Sequence, residues 1–197
     1  MNWINLLNNI DKDKIIYKEY NSNDLIFNEY TKCNMLGIIT KGEVLISTIT
    51  HNEKEEIFNT IPENDAFGDI LVFTTSSKYL GNVIATKKTK IAFIKKEILL
   101  DVFSKHPLIL DKYLKHIADK SIKIKLQAKL LSHKNIEDRI MYYLSILSED
   151  DSYIYIKSVT DLSKTLSLPR PSVSRSLTNL EDKGLITRSG KYIKINN

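Results

Sequence analysis

The segment from Val159 to Ile186, VTDLSKTLSLPRPSVSRSLTNLEDKGLI, limits the possible folds more than any other part of the chain. It predicts two short helices joined by a tight turn, the second ending at Gly184. Val159, Leu162, Leu166, Val173, Leu177 and Leu180 are spaced to close a small core between the helices. Pro171 suits a first helical turn, where its missing N–H is not needed. Gly184 suits the position just past a helix end, where a left-handed backbone is common. The opposite face of the second helix carries Arg170, Ser172, Ser174, Arg175, Thr178 and Asn179. A helix entering the major groove of DNA needs that mixture: base edges display donors and acceptors there, and phosphates line both walls. The competing reading is a helical hairpin with a solvated polar face.

The residues after the second helix favour the DNA-binding reading. Leu185–Arg188, then Ser189-Gly190, then Lys191–Ile195 reads as a β-hairpin with Ile193 and Ile195 on one face. A hairpin after two such helices is a wing, from which Arg188, Lys191 and Lys194 would reach phosphates. Charge is placed accordingly. Residues 157–197 hold eight basic and three acidic groups, which accounts for the whole net charge of +5 and leaves residues 1–156 neutral. A basic excess confined to one region is the electrostatic footprint of phosphate binding. A generally lysine-rich composition would spread it.

With 197 residues the chain has room for one large or two small cores, and its 42% hydrophobic content is ordinary. Cys33 is the only cysteine, which excludes a disulfide framework and any cysteine-based zinc or iron–sulfur site built by one chain. The start lacks the basic flank and long apolar run of a signal peptide, and no apolar run approaches the roughly 20 residues of a membrane helix. A cytoplasmic protein without a membrane partner is expected.

Residues 4–10 predict a short helix. From about 15 to 96 the pattern becomes short β-like runs, beginning at Ile15, Asp24, Met35, Val44, Glu56, Val83 and Ile91. Turn signals such as Lys41-Gly42 and Pro62-Glu-Asn-Asp65 separate them, a pattern that suggests a jelly roll. A long helix then starts at Pro107. Leu110, Leu114, Ile117, Ser121, Ile124, Ala128 and Leu131 recur at alternating spacings of 4 and 3, a coiled-coil seam and so a candidate homodimer interface. A second stripe, Ile122, Leu126 and Leu130, is expected to face the barrel. His133–Asn135 reads as a hinge, with Asn135 as N-cap of a helix over Ile136–Leu147. Glu149–Ser152 reads as a loop, and Tyr153–Ile156 as a strand pairing with the wing. The fold class is α+β: a jelly-roll barrel over 1–105, a dimerisation helix over 106–132 and a winged helix-turn-helix over 133–197.

This order of elements resembles the Crp/Fnr family of bacterial transcription regulators. The resemblance is most specific in Leu168-Pro-Arg-Pro-Ser-Val-Ser-Arg-Ser-Leu177, Leu180-Glu-Asp-Lys-Gly-Leu-Ile186 and Ser189-Gly-Lys-Tyr-Ile-Lys-Ile195. Lys41-Gly-Glu-Val44 and Phe67-Gly-Asp-Ile70 support it. It implies that Arg175 reads a guanine, that Arg170 contacts DNA, and that a homodimer acts on a pseudo-palindromic operator together with RNA polymerase. Ser174-Arg175 is similar to the Ser-Arg pair of fumarate/nitrate-type regulators, whereas Pro171 replaces the family's glutamate in the first turn. Cyclic-nucleotide-binding members carry Gly-Glu, then an Arg-Ser/Thr pair that begins ten residues after the Glu. Here those positions are Gly68-Asp69 and Tyr79-Leu80. Tyrosine and leucine cannot neutralise a phosphate, so the resemblance implies a degenerate effector pocket that does not take cyclic AMP in the family's manner.

Two alternatives remain at this level. A jelly-roll metalloenzyme would need clustered histidines and carboxylates, but of His51, His106, His116 and His133 only His51 lies in the β region. A regulator of the same architecture that senses haem or another small molecule is the second; a haem-based one would need Cys33 or a histidine as axial ligand. The expectation is a non-enzyme without cofactor or metal.

Overall fold

The computed structural model describes residues 1–148 and 153–196, so the predicted loop at 149–152 lies outside the described residues. The chain divides into two units, Met1–Ala118 and Asp119–Asn197.

The first unit opens with helix α1, Trp3–Leu7, capped by the Asn2 side chain, which accepts from the Asn5 amide. Eight strands come next: β1 Ile16–Tyr20, β2 Leu25–Phe27, β3 Met35–Lys41, β4 Glu43–Ile49, β5 Glu55–Pro62, β6 Ala66–Phe67, β7 Asn82–Ala85 and β8 Thr89–Lys95. They form two antiparallel four-stranded sheets, ordered β1-β8-β3-β6 and β2-β7-β4-β5. Each predicted run is a strand; the two-residue β6 went unread because a pair of residues shows no alternation. β3 is paired on both sides, and Leu36, Ile38 and Ile39 are all buried rather than alternating, so both faces of the strand are covered. Gly37 at its centre lies so close to the Phe67 ring that a Cβ there would sit 2.3 Å from Cζ. Helix α2, Lys96–Lys105, also went unread; it turns Leu99, Val102 and Phe103 into the same core.

Helix α3 runs from Pro107 to Ser132. Its first part covers the barrel through Ile109 and Tyr113, with Leu110 and Ile117 packed at the margin of that core. The expected second stripe does not face the barrel. Leu126 and Leu130 belong to the core of the second unit, and Ile122 is exposed. A helical repeat marks which residues share a face, but it carries no information about which body that face meets.

The second unit continues with α4, Ile136–Leu147, then β9 Ile154–Tyr155, α5 Val159–Thr165, α6 Arg170–Asp182, β10 Ile186–Ser189 and β11 Tyr192–Ile195. Its core joins Ile140 and Leu144 of α4 to Ile154, Leu162, Leu166, Val173, Leu177, Leu180, Ile186 and Ile193. The strands pair antiparallel in the order β10-β11-β9. Asn135 caps α4 as expected, accepting from the Glu137 amide. The stretch read as a hinge is clamped instead. The Arg139 guanidinium donates to the His133 carbonyl at 2.8 Å, the Leu131 carbonyl at 3.5 Å and the Leu166 carbonyl at 3.3 Å. The His133 ring packs on Tyr142 at a centroid distance of 4.8 Å.

Candidate nucleic-acid interface and the barrel pocket

The turn between α5 and α6 is set locally. Ser158 caps α5 by accepting from the Asp161 amide. Ser167 takes a left-handed backbone at φ 54°, which lets the Leu168 amide reach the Ser163 carbonyl. Pro171 lies in the first turn of α6, as expected. At the other end the Gly184 amide donates to Glu181 and the Leu185 amide to Leu180, with Gly184 at φ 71°. That is a Schellman ending, and it satisfies two carbonyls the helix would otherwise leave open.

Between these ends α6 buries Val173, Leu177 and Leu180 and exposes Arg170, Pro171, Ser174, Arg175, Thr178 and Asn179, while Ser172 is half-buried. Ser172, Arg175, Ser176 and Asn179 border a shallow cleft of about 250 Å³ beside Ile136 at the start of α4. Asn179 also donates to Glu137, which pairs with Lys183 at 2.6 Å; the hydrogen bond from Lys183 holds the Glu137 carboxyl below the usual carboxylate range.

The wing brings Lys191 to the exposed tip beside Gly190, and Lys194 is half-buried on β11. Arg188 is placed differently from the expectation. Glu181 of α6 accepts from its Nε at 2.7 Å and from its amide at 3.1 Å, and Arg188 Nη2 lies 3.5 Å from Thr178 Oγ1. The Arg188 hydrogen bond holds the Glu181 carboxyl low. Arg188 therefore fastens the wing to α6. The partner that takes it lies seven residues away, across the Schellman turn, where no local pattern shows it.

The barrel residues predicted to form a degenerate effector pocket do not act as one group. Gly68 sits at φ 76°, and its missing Cβ would lie 3.0 Å from Cys33 Sγ and 3.7 Å from the Tyr79 hydroxyl oxygen. Tyr79 is only 3% exposed; its ring stacks on Phe27 at 4.7 Å and leans against Phe67. Burial pushes its hydroxyl far above the ordinary tyrosine range. The Asp69 carboxylate lies 2.8 Å from His116 Nε2 on α3, and its carbonyl accepts from the Tyr113 hydroxyl. Trp3 of α1 closes over this pair, ring to ring with His116 and Tyr113. Leu80, by contrast, is exposed to solvent at 73%. The His116 and Trp3 contacts were not read from the sequence, because they join segments far apart in the chain. Burial also raises the Cys33 thiol, which disfavours the thiolate that a metal or haem would need.

The predicted seam of α3 splits between two environments. Leu110 and Ile117 are partly buried against the barrel core, whereas Leu114, Ser121, Ile124, Ala128 and Leu131 are exposed.

Comparison with known proteins agrees with this layout. Residues 17–106 match the cyclic nucleotide-binding domain and residues 141–191 match the MarR family. The chain is similar to a protein of Porphyra purpurea described as "Putative HTH-type transcriptional regulator ycf28", at 23% identity, covering 98% of this chain and 83% of that one. Among solved structures, the catabolite activator protein of Thermus thermophilus is similar at 18% identity with a TM-score of 0.56, covering 93% of this chain and 86% of that one. CprK in complex with OCPA is similar at 15% identity with a TM-score of 0.61, covering 98% and 89%. A barrel that matches the cyclic nucleotide-binding domain thus precedes a unit that matches the MarR family, and the chain shares the fold of the catabolite activator protein.

Proposed function

We propose that the protein is a homodimeric, sequence-specific regulator that reads duplex DNA with α6 and needs no cyclic nucleotide to do so. The observation that carries this reading is the outer face of α6. Arg170, Ser174, Arg175 and Thr178 stand exposed on a helix whose other face is anchored in the core. In this reading Arg175 meets a base edge, Arg170 and Lys191 meet phosphates, and Ser172, Ser174 and Thr178 supply short hydrogen bonds. Pro171 starts the helix at the groove wall, and Arg188 holds the wing in place rather than binding phosphate itself.

Dimerisation would use the α3 seam, with residues 1–105 as the sensor-like barrel, 106–132 as the pairing helix and 133–197 as the DNA-binding domain. Leu114, Ile124 and Leu131 are 58%, 57% and 54% exposed, an apolar stripe that a second copy would cover. Ser121 and Ala128 between them are small enough to let two helices approach. The resemblance adds a cytoplasmic setting and RNA polymerase as protein partner. The protein acts by binding, not by catalysis.

Selection of bound sites from random duplex DNA, with and without cell extract, tests the reading. A pseudo-palindrome with half-sites roughly 34 Å apart is expected; recovery of no preferred sequence would overturn it. Changing Ile124 and Leu131 together to Asp places like charges across the seam without touching either core, and sedimentation should then show monomers. An unchanged dimer would remove the seam from the interface.

A further inference from the structure

The core uses one face of the sheet β10-β11-β9. Ile154 and Ile193, partners across β9 and β11, are buried with Ile186, and Arg188 on that side is bound to Glu181 of α6. The outer face is bare and aromatic. Tyr155 pairs with Tyr192 across the strands, and their ring centroids lie 5.5 Å apart. They are 55% and 48% exposed, and Tyr153, two residues before Tyr155, is 53% exposed. Register sets Ser189 opposite Tyr192, and Thr187 opposite Lys194, on this same face. Lys157 is exposed two residues beyond Tyr155, and Lys194 is half-buried two residues beyond Tyr192. Among the described residues that register puts on this face there is no carboxylate.

A single exposed apolar side chain needs no explanation, but three phenol rings gathered on one sheet do. An open ring takes any base by stacking, and lysines beside it meet the phosphates between bases. A duplex keeps its bases paired inside and would leave the rings unused. A basic partner would meet Lys157 and Lys194 with like charge. Asn196, the amide at the margin, is engaged with Thr187 and the Gly184 carbonyl. No carboxylate or open amide among the described residues thus accepts from a ribose 2′-hydroxyl, which favours deoxyribose. We propose that the outer face of this sheet binds single-stranded DNA, with bases stacked on Tyr153, Tyr155 and Tyr192 and phosphates at Lys157 and Lys194. The site lies on the opposite side of the sheet from α6 and does not rest on the duplex-reading role of that helix. Both can be filled together. Glu149, Asp150 and Asp151 come just before Tyr153 in the sequence, and their charge opposes such a strand.

The test uses the full chain and a fluorescein-labelled oligothymidylate of about twelve nucleotides, followed by anisotropy. Oligouridylate of the same length and an unlabelled random duplex are parallel arms. Oligothymidylate should bind and shift the ring signals of the three tyrosines in NMR. Tyr155→Ala should weaken it by at least about fivefold. Tyr155→Phe should keep the wild-type affinity, because stacking needs the ring and not the hydroxyl. Lys157→Gln should lower the salt slope by about 0.7. Changing Glu149→Gln, Asp150→Asn and Asp151→Asn together should tighten binding, oligouridylate should bind more weakly, and excess duplex should leave the ring shifts in place. Unmoved rings, or equal affinity in wild type and Tyr155→Ala, would overturn the site. Weaker binding once the three acids are neutralised would point to a cationic partner and overturn the polyanion. Oligouridylate bound equally or better overturns the choice of deoxyribose. Ring shifts erased by duplex would move the strand to α6 and overturn the separate site. A chain that binds no duplex at all sinks the duplex reading instead, and the ring shifts still decide this one.

Discussion

The barrel pocket and the outer face of α6 are both polar constellations inside a known architecture, and the protein treats them in opposite ways. In the barrel every group has been given an internal partner. Asp69 meets His116 and Tyr113, while Tyr79 lies against Phe27 and Phe67, its hydroxyl beside Cys33. On α6, Arg170 and Arg175 make no hydrogen bond or ion pair among the described residues, and both stay in water. A buried polar group must be satisfied or it costs stability, so the barrel constellation has become part of the core. Exposed arginines held on a rigid helix give up that internal bonding and keep it available for another molecule. The difference separates groups that keep the protein folded from groups that keep it ready to bind.

The largest test of this contrast is Tyr79→Ala. Removing a stacked ring from the barrel should cost about 3–5 kcal/mol of stability, read by denaturant unfolding. A loss below about 1 kcal/mol would mean the ring is not core. Arg175→Ala should do the reverse: unfolding stays unchanged, while affinity for a selected operator falls by about 1–3 kcal/mol and one base preference relaxes. Lys191→Ala should weaken all duplexes alike and reduce the salt slope by about one unit. If both variants lose affinity equally for specific and random DNA, base and phosphate roles are wrongly divided between them.

Acid gives a smaller effect. The Glu181 carboxyl is held low by Arg188, so its contribution is complete above the ordinary carboxylate range and is lost as the pH falls through the depressed folded value. Glu181→Gln should therefore flatten the acid limb of stability and leave neutral operator binding dependent on a looser wing. An unchanged acid limb would remove this pair from the wing's anchorage. The smallest expected effect is none: calorimetry with cyclic AMP should show no binding, since a cyclic phosphate beside Tyr79 would be stranded without a charged partner. Micromolar binding would erase the contrast between the two regions.

The regions also differ in how far the sequence alone reveals them. The helix-turn-helix carries its own punctuation, with Pro171 in the first turn of α6 and Gly184 in the left-handed position after it. The wing is legible from Ser189-Gly190 between two apolar runs. These signals are local, and the structure keeps them within a residue or two. Helix α2 had a usable signal in Ile98, Leu99, Val102 and Phe103, but it was masked by the strand pattern that ends at Lys95. Other features leave no local trace. Asp69 meets a histidine 47 residues away, Leu130 serves the second core rather than the first, and Arg188 is claimed by a glutamate on another element. Periodicity reports which residues share a face, and the identity of the opposing surface is settled only when the chain closes on itself.

The Arg139 clamp carries a mechanical consequence. One guanidinium gathers carbonyls from the last turn of α3, from the connection at His133 and from the end of α5, where helix dipoles favour positive charge. The connection between α3 and α4 has no slack, and α6 shares a core with Leu130 of α3. The last turns of α3 and the buried face of α6 therefore pack in one core. One residue inserted between Ile122 and Leu130 would turn everything after it by about 100° and advance it by about 1.5 Å, which would take Leu130 out of the second core. The length of those turns in residues fixes which side chains of α3 close the second core.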